Sequence, residues 1–179
     1  MLYDSCTYRF SAWRCGVKIG FVSDTHDNKE AIQLAFSYFE REGIRNVIHL
    51  GDLISPFNLR FLREVYTGSL YYLFGNNDGE RLFLTEQAKE LGVAVFKLPQ
   101  ILDINGIKIV AMHEPFAILE LAETQKFRIV AYGHTHKLHI EKIGKTHIIN
   151  PGEACGYLTG KRTFVIFDTD KDICEVREF

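Results

Sequence analysis

Hydrophobic and polar positions along the first half of the chain alternate between the spacing typical of strands and the spacing typical of helices. Three short runs rich in β-branched and aromatic residues each end in a polar cluster: VKIGFVS (17–23), NVIHL (46–50) and SLYYLFG (69–75). Each run is followed by a segment in which apolar residues recur three or four positions apart: 30–41, 55–66 and 80–91. Asp27 or Asn28 stands where the first of these helices needs a cap. The pattern predicts strands and helices in strict alternation.

The second half of the chain consists mainly of short strand-like runs. Asn105-Gly106 joins two of them and is the strongest two-residue signal for a β-hairpin. One helix is predicted over 115–126, and strands are predicted over 93–98, 100–104, 107–113, 127–133, 137–143, 145–150, 162–169 and 172–179. An alternating first half and a strand-rich second half predict an α/β fold with two packed, mixed sheets flanked by helices, in one domain over 17–179.

Composition and charge narrow the classes of function. The chain has 179 residues, of which 46% are hydrophobic and 25% are charged, as is typical of one globular domain. Its 21 basic and 23 acidic residues give a formal net charge of −2, so a nucleic-acid partner is not expected. The apolar runs all fall short of the roughly 18 residues that cross a bilayer, so no membrane partner is expected either.

The cysteines show neither a redox spacing nor a zinc-finger spacing. They are Cys6, Cys15, Cys155 and Cys174. We interpret them as free thiols of a reducing compartment, which makes the cytoplasm the expected location. Residues 1–16 lack the continuous apolar core of a secretory signal, and we interpret them as an N-terminal extension.

Seven side chains capable of binding metal each come directly after a predicted strand. They are Asp24, His26, Asp52, Asn76, His113, His134 and His136. Ligands of α/β sheets bind in the crevice outside the carboxyl ends of the strands, so residues far apart in sequence can converge there. We therefore expect these seven to form one site.

The donor atoms of this set suit two divalent cations. Two carboxylates, four imidazoles and one amide oxygen are the mixed ligands that manganese, iron, nickel, zinc or cobalt accept, whereas calcium prefers more oxygens. One carboxylate spanning both ions would hold them about 3.5–4 Å apart, as in two-metal hydrolases. Two such ions outweigh two aspartates and a hydroxide, so the site should attract an anionic group such as a phosphodiester.

The same residues resemble the five ordered sequence blocks of the calcineurin-like metallophosphoesterase superfamily. The blocks are DTH (24–26), GD (51–52), GNND (75–78), the single His113 and GHTH (133–136). The segment NPGEACGYLTG (150–160) further resembles the small prokaryotic phosphodiesterases of the YfcE-like branch. Five blocks in the right order make the resemblance specific, and it covers residues 17–179.

The resemblance implies a fold, a cofactor and a reaction. The implied fold is a four-layer α/β/β/α sandwich. One ion would be held by Asp24, His26 and His136, and the other by Asn76, His113 and His134, with Asp52 bridging the two. Asp52, Asn76 and His113 are implied to take part directly in catalysis. The expected enzyme is a dinuclear metal-dependent phosphodiesterase that cleaves a small phosphodiester with a metal-activated hydroxide. Manganese or nickel is the expected metal, with cobalt, iron or zinc as alternatives, and a homodimer remains open.

Two positions depart from the superfamily pattern. The family block around His113 usually reads His-Gly-His, but here His113 is followed by Glu114 and Pro115. A histidine that acts on the leaving group often follows the asparagine of the third block, but here that position is Asn77.

Other polar residues near the motifs are expected to be structural. We predict this for the remaining histidines, His49, His139 and His147. Asp78 is expected to cap the helix that follows it, with a contact to the metal site as the minority alternative. The segment 150–153 is expected to be a tight turn, although the resemblance places such a loop near the substrate pocket.

Two other functions are compatible with the same fold. A catalytically silent scaffold is the main alternative, but such a scaffold should have lost ligands, and all seven are present. A nuclease domain is less well supported because the chain has no basic groove or added DNA-binding segment that the sequence reveals.

Overall fold

The computed structural model of the chain describes residues 16–97 and 99–179, which form eleven strands and four helices. The strands are β1 (Lys18–Val22), β2 (Asn46–His49), β3 (Ser69–Leu73), β4 (Ala94–Phe96), β5 (Gln100–Ile104), β6 (Ile107–Ala111), β7 (Ile129–Ala131), β8 (Leu138–Ile143), β9 (Thr146–Pro151), β10 (Thr163–Asp168) and β11 (Ile173–Glu178). The helices are α1 (Lys29–Arg41), α2 (Phe57–Val65), α3 (Arg81–Glu90) and α4 (Ile118–Glu123).

All predicted elements are present, and the fourth helix differs most from its predicted length. It was predicted over 115–126 but begins only at Ile118, because Ala117 before it has a left-handed backbone with a φ of 49°. The cap of α1 is as predicted, since the side chain of Asn28 accepts a hydrogen bond from the Ala31 amide at 3.1 Å.

The described strands form two mixed sheets, as the sequence predicts. The larger sheet has the order β11-β10-β1-β2-β3-β4, in which β1 to β4 and β11 run in the same direction and β10 runs antiparallel to them. The smaller sheet has the order β5-β6-β7-β9-β8, with parallel β6, β7 and β9 between two antiparallel edge strands.

Buried apolar side chains join these sheets and helices into four layers. Phe21 of β1 and Ile48 of β2 pack with Ile109 of β6 and Ile149 of β9 in the core between the two sheets. On the outer face of the larger sheet, α1, α2 and α3 cover a second core. Ala122 of α4 belongs to a third core on the outer face of the smaller sheet. The result is the expected α/β/β/α sandwich.

This arrangement brings the ends of several strands to one place. Because β1, β2 and β3 are parallel neighbours, the loops after them lie side by side, and the same holds for β6 and β7 in the other sheet. The loops of the two sheets meet directly: the Ala154 amide donates to the Ser23 carbonyl at 3.0 Å, and the Cys155 amide donates to the Asp24 carbonyl at 3.1 Å.

Some sequence expectations concern residues that the structure does not describe. Most of the expected N-terminal extension, with Cys6 and Cys15, lies outside the described residues. Cys155 and Cys174 are described, and both are free thiols. Within residues 16–97 and 99–179, none of the helices is both long enough and apolar enough to cross a membrane.

Candidate metal centre

The seven predicted metal ligands come together where the loops of the two sheets meet, and Asp52 lies at their centre. The Oδ2 atom of Asp52 is 3.4 Å from His113 Nε2 and 3.6 Å from His26 Nε2. Asp52 and His113 are completely buried. The carboxylate that is expected to bridge two ions is thus flanked by one histidine from each predicted group.

The first predicted group, Asp24, His26 and His136, is arranged around a single oxygen atom. Asp24 Oδ1 lies 3.5 Å from His136 Nε2 and 3.8 Å from His26 Nε2, and one ligand atom from each residue lies within 4.8 Å of the others. Both Asp24 Oδ1 and His26 Nε2 are buried without a hydrogen-bond partner in the described part of the chain. Burying a polar atom without a partner costs free energy. A carboxylate oxygen and an imidazole nitrogen that face each other in this way fit a cation bound between them.

The second predicted group converges on the amide of Asn76. Asn76 Oδ1 is 2.8 Å from both His113 Nε2 and His134 Nδ1. The two imidazole rings meet edge to face with their centroids 5.1 Å apart. One amide oxygen and two ring nitrogens at these separations fit a second cation of the kind that accepts nitrogen and oxygen ligands.

The backbone at the centre is strained. Five of the seven predicted ligands have positive φ angles: Asp24 (52°), His26 (39°), Asp52 (58°), His134 (66°) and His136 (59°). Residues other than glycine rarely adopt positive φ angles. Such strained backbone persists only where surrounding contacts enforce it, and it is often found at functional sites. Here the amides of Asp24 and His26 donate to the carbonyls of Gly51 and Asp52 at 3.1 and 3.0 Å.

Two glycines of the motifs allow this close approach. Gly51 has a φ of 107°, and a Cβ atom on it would lie 2.5 Å from His113 Nδ1. A Cβ atom on Gly75 would collide with the carboxylate of Asp52 and lie 2.5 Å from its amide nitrogen. Neither position can carry a larger residue without moving a predicted ligand.

Asp78 holds the loop of Asp52, and the prediction that it caps α3 is wrong. Its two carboxylate oxygens accept from the amides of Asp52, Leu53, Ile54 and Gly75 at 2.6–3.1 Å. The residue at the N-terminal boundary of α3 is Glu80, whose side chain makes no capping hydrogen bond. The buried amides of the Asp52 loop need an acceptor, whereas the exposed end of the helix does not. Asp78 therefore contacts the loop of a predicted ligand, in line with the minority alternative.

Asn77 lies beside Asp52 and donates two hydrogen bonds to its carboxylate. Its side-chain Nδ2 donates to Asp52 Oδ2 at 2.7 Å, and its backbone amide donates to Asp52 Oδ1 at 2.9 Å. Burial raises the pKa of Asp52, but the contact with His113 and the bonds from Asn77 outweigh it, so the pKa lies well below its ordinary value. Asp52 is therefore ionised at neutral pH.

The surrounding carboxylates also act on the histidines. In the protein without bound ions, the neighbouring Asp24 raises the pKa of His26. Burial lowers the pKa of His113, but the adjacent Asp52 outweighs that effect and the net shift is upwards. The carboxylates thus favour a positive charge at both histidines, as they would favour a bound cation.

The remaining histidines have partners outside the two groups. His49 is buried between the Thr25 hydroxyl at 3.1 Å and the Gly51 amide at 3.2 Å, and burial lowers its pKa to about 4. His139 Nδ1 lies 2.7 Å from the Tyr132 hydroxyl. His147 Nε2 lies 2.6 Å from Asp172 Oδ1. These contacts agree with the structural roles expected for all three.

Sequence reasoning missed the role of Glu153, which lies in the segment expected to be only a turn. The first half of the expected turn is strand, because β9 extends to Pro151, and the chain leaves the strand at Gly152, whose φ is 76°. Glu153, however, is completely buried, and its Oε2 lies 2.7 Å from His136 Nδ1. Burial raises its pKa, but the hydrogen bonds from His136 and Thr159 outweigh that effect and hold the pKa at about 2. The signals in the sequence were an acidic residue after a strand that ends near the motifs, and the resemblance, which places this loop near the substrate pocket.

A cavity of about 460 Å³ adjoins the second predicted group at Asn76. Phe74 and Leu82 form part of its apolar wall, and its charged lining residues are Arg81, Lys97 and Glu114. Arg81 is fixed by hydrogen bonds from its guanidinium to the carbonyls of Asp78 and Gly75, at 2.9 and 2.8 Å. The cavity therefore combines apolar surface with an excess of positive charge beside the candidate centre.

Comparison with known proteins agrees with this fold. Residues 17–172 match the model of the calcineurin-like phosphoesterase superfamily domain. The chain therefore belongs to that superfamily, which confirms the resemblance read from the motifs and the expectation that the protein is a hydrolase.

Individual relatives make the placement within the superfamily more specific. The chain is 37% identical over 160 residues to phosphodiesterase MJ0936 of Methanocaldococcus jannaschii, covering 87% of this chain and 95% of the relative. It is similar to the solved structure of an archaeal phosphodiesterase, with a TM-score of 0.84, 34% identity and coverage of 91% and 100% of the two chains. The fold is shared with the phosphoesterase YfcE from E. coli, with a TM-score of 0.64, 17% identity and coverage of 90% and 98%.

Proposed function

We propose that the protein hydrolyses small phosphodiesters at a dinuclear centre of divalent metal ions. The first ion would be held by Asp24, His26 and His136, the second by Asn76, His113 and His134, with Asp52 shared between them. The observation that carries this proposal is the pair of buried, unpartnered atoms that face each other, Asp24 Oδ1 and His26 Nε2. The relative that is 37% identical bears the name phosphodiesterase, which supports the same reaction.

The chemistry of the side chains supports a two-ion site. When bound, two divalent ions would neutralise charge on a phosphoryl group and make water a better nucleophile at neutral pH. The role of Asp52 is to keep the two positions close despite the repulsion between cations, because its ionised carboxylate lies within 3.6 Å of a histidine from each group. Mixed nitrogen and oxygen ligands favour manganese or nickel, with cobalt, iron or zinc as alternatives.

The charges around the centre support a phosphodiester as substrate. A diester carries one negative charge near neutrality, which balances the single positive charge left by two divalent cations, two carboxylates and a hydroxide. Arg81 and Lys97 line the cavity beside Asn76 and add positive charge where a substituent of the phosphate would lie. The free thiols of Cys155 and Cys174 support the cytoplasm as the location.

Replacing the shared carboxylate tests the proposal. In Asp52→Asn, the loss of the bridging charge increases repulsion between the ions, so we expect the metal content to fall from two ions per chain and the hydrolysis of bis-p-nitrophenyl phosphate to be lost. Asp170→Asn is the matched control, since Asp170 is an exposed carboxylate in the turn between β10 and β11 and its loss should change neither quantity. Metal content is measured by elemental analysis and turnover by release of nitrophenolate.

Two outcomes would count against the proposal in different ways. An Asp52→Asn protein that keeps two ions and full turnover would refute the bridging role. An unmodified protein without turnover in manganese, nickel and cobalt would instead point to a catalytically silent scaffold of the same fold.

A further inference from the structure

Glu153 is a buried carboxylate surrounded only by hydrogen-bond donors. It accepts from the imidazole of His136 at 2.7 Å, the thiol of Cys155 at 3.2 Å, the amide of Leu158 at 3.0 Å, and the amide and hydroxyl of Thr159 at 2.5 and 2.6 Å. Such a set suits an ionised carboxylate, which only accepts. Glu153 therefore ties the loop over residues 153–159 to one predicted metal ligand.

This contact determines how His136 presents its other nitrogen. Because Glu153 accepts at Nδ1, the ring proton of neutral His136 resides there, and Nε2 keeps its lone pair. Nε2 is the atom that lies 3.5 Å from the unpartnered Asp24 Oδ1. The tautomer selected by Glu153 is thus the one able to coordinate an ion at the first position.

Within residues 16–97 and 99–179, the second position has no equivalent partner. His113 Nδ1 lies 2.7 Å from the backbone carbonyl of Leu50, which is neutral. Each histidine of the centre has one ring nitrogen that faces the predicted ion and one that points away from it. Within the described residues, only His136 donates from its far nitrogen to a carboxylate. The first position also contains the carboxylate of Asp24, where the second contains the amide of Asn76.

We propose that Glu153 is a positioning residue that makes the Asp24–His26–His136 position the tighter of the two, so that it is filled first. An anionic acceptor on the far nitrogen makes the imidazole a stronger donor and fixes its orientation, and losing such a partner commonly weakens metal affinity about 10–100-fold. The inference rests on the metal centre of the proposed function and adds an order of loading to it.

Titration of the metal-free protein with Co²⁺ tests this order, because the visible absorption of Co²⁺ reports binding without reference to turnover. We expect two steps in the unmodified protein. In Glu153→Gln, the side-chain NH₂ group is a donor and must face either His136 or the loop amides, which are donors too. The affinity of the first binding step should therefore fall by about 10–100-fold and approach the affinity of the second step. Glu153→Asp keeps the charge and should recover part of the loss.

A matched variant separates positioning from mere support of the loop. Thr159→Val removes one donor to the same carboxylate but leaves the contact between Glu153 and His136, so its first step should stay within about twofold of the unmodified protein. In a His136→Ala background, adding Glu153→Gln should cause no further loss, because Glu153 acts through His136. The ¹⁵N chemical shifts of His136 in the unmodified, metal-free protein at pH 8 should show the Nδ1–H tautomer, whether or not a variant folds.

The outcomes distinguish this inference from the proposed function. An unmodified protein that takes up no Co²⁺ would overturn the metal centre itself. Two-step binding with a first step unchanged by Glu153→Gln, an equal weakening in Thr159→Val, or a His136 ring protonated at Nε2 would each overturn the role of Glu153 and leave the metal centre standing.

Discussion

At the scale of single residues, we expect Asn77 to determine which substrates the proposed centre can cleave. Its amide bonds to Asp52 at 2.7 Å and cannot give up a proton at neutral pH. General acid catalysis is typically worth about 10²–10⁴ in rate, and its absence affects only leaving groups that need protonation. We therefore expect good hydrolysis of aryl diesters, whose leaving group departs as a stable anion, and poor hydrolysis of alkyl phosphate esters.

Supplying an acid at this position should change that preference. Asn77→His should raise kcat/KM selectively for poor leaving groups, whereas Asn77→Ala, which removes the amide without adding an acid, should not. The measurement is a plot of log kcat/KM against the pKa of the leaving group for all three proteins. A slope that is equally shallow in the unmodified enzyme and Asn77→His would mean that another residue already gives the proton. Glu114 would then be the candidate, because it lines the cavity beside Asn76, whereas Asp78 is occupied by four amides.

At the scale of elements, the loop between β3 and α3 shows why the motif needs a glycine. A Cβ atom at Gly75 would occupy the place of the Asp52 carboxylate, while nothing in the described part of the chain lies within 4 Å of the corresponding position at Gly79. Gly75→Ala should therefore displace Asp52, lower the metal content and reduce turnover by about 10²-fold or more, given how sensitive catalysis is to a 1 Å misplacement.

Gly79→Ala is the control within the same loop and should leave metal content and turnover unchanged. Both variants are compared by elemental analysis, by kinetics and by circular dichroism, which checks that the fold is kept. A Gly75→Ala protein with normal metal content would show that the loop can move aside without disturbing Asp52.

The same loops show how far the sequence predicts the site. The seven candidate ligands could be found because each follows a strand, and the position of a strand end is visible in the hydrophobic pattern. The partners of Asp78 and Glu153 could not be found in this way. Asp78 accepts from amides of the Asp52 loop, which lie about 25 positions earlier in the sequence. Glu153 contacts His136, from which it is separated in the sequence by two strands. Both contacts therefore depend on how the loops fold against each other.

At the scale of the whole molecule, the packing of the two sheets assembles the centre. Asp24, Asp52 and Asn76 follow strands of the larger sheet, while His113, His134 and His136 follow strands of the smaller one. The presence of two packed sheets flanked by helices could be predicted from the pattern of elements along the chain. The relative orientation of the two sheets could not, because it depends on the apolar core between them, where Phe21, Ile48 and Ile149 meet. Each predicted ion would draw ligands from both sheets, so binding should stabilise their association.

This arrangement places His49 in the interior and makes the stability of the molecule depend on pH. Burial lowers the pKa of His49 to about 4, against 6.5 for the ordinary side chain. As the pH falls below 6.5, His49 becomes protonated in the unfolded chain, but in the folded protein it stays neutral until about pH 4. The folded protein therefore loses stability as the pH falls from 6.5 to 4. At pH 5 the expected loss is about 2 kcal/mol relative to pH 7.5.

The contribution of His49 can be isolated by comparing two metal-free proteins in the presence of a chelator. Urea unfolding at pH 7.5 and pH 5 gives the free energy of unfolding of the unmodified protein and of His49→Gln. Glutamine does not titrate, so its variant should lose less stability between the two pH values, by about 2 kcal/mol. Contributions from the histidines of the metal centre occur in both proteins and cancel in the difference. If both proteins lose the same amount, His49 takes up its proton equally in the folded and unfolded states, and its neutral, hydrogen-bonded role between Thr25 and Gly51 is wrong.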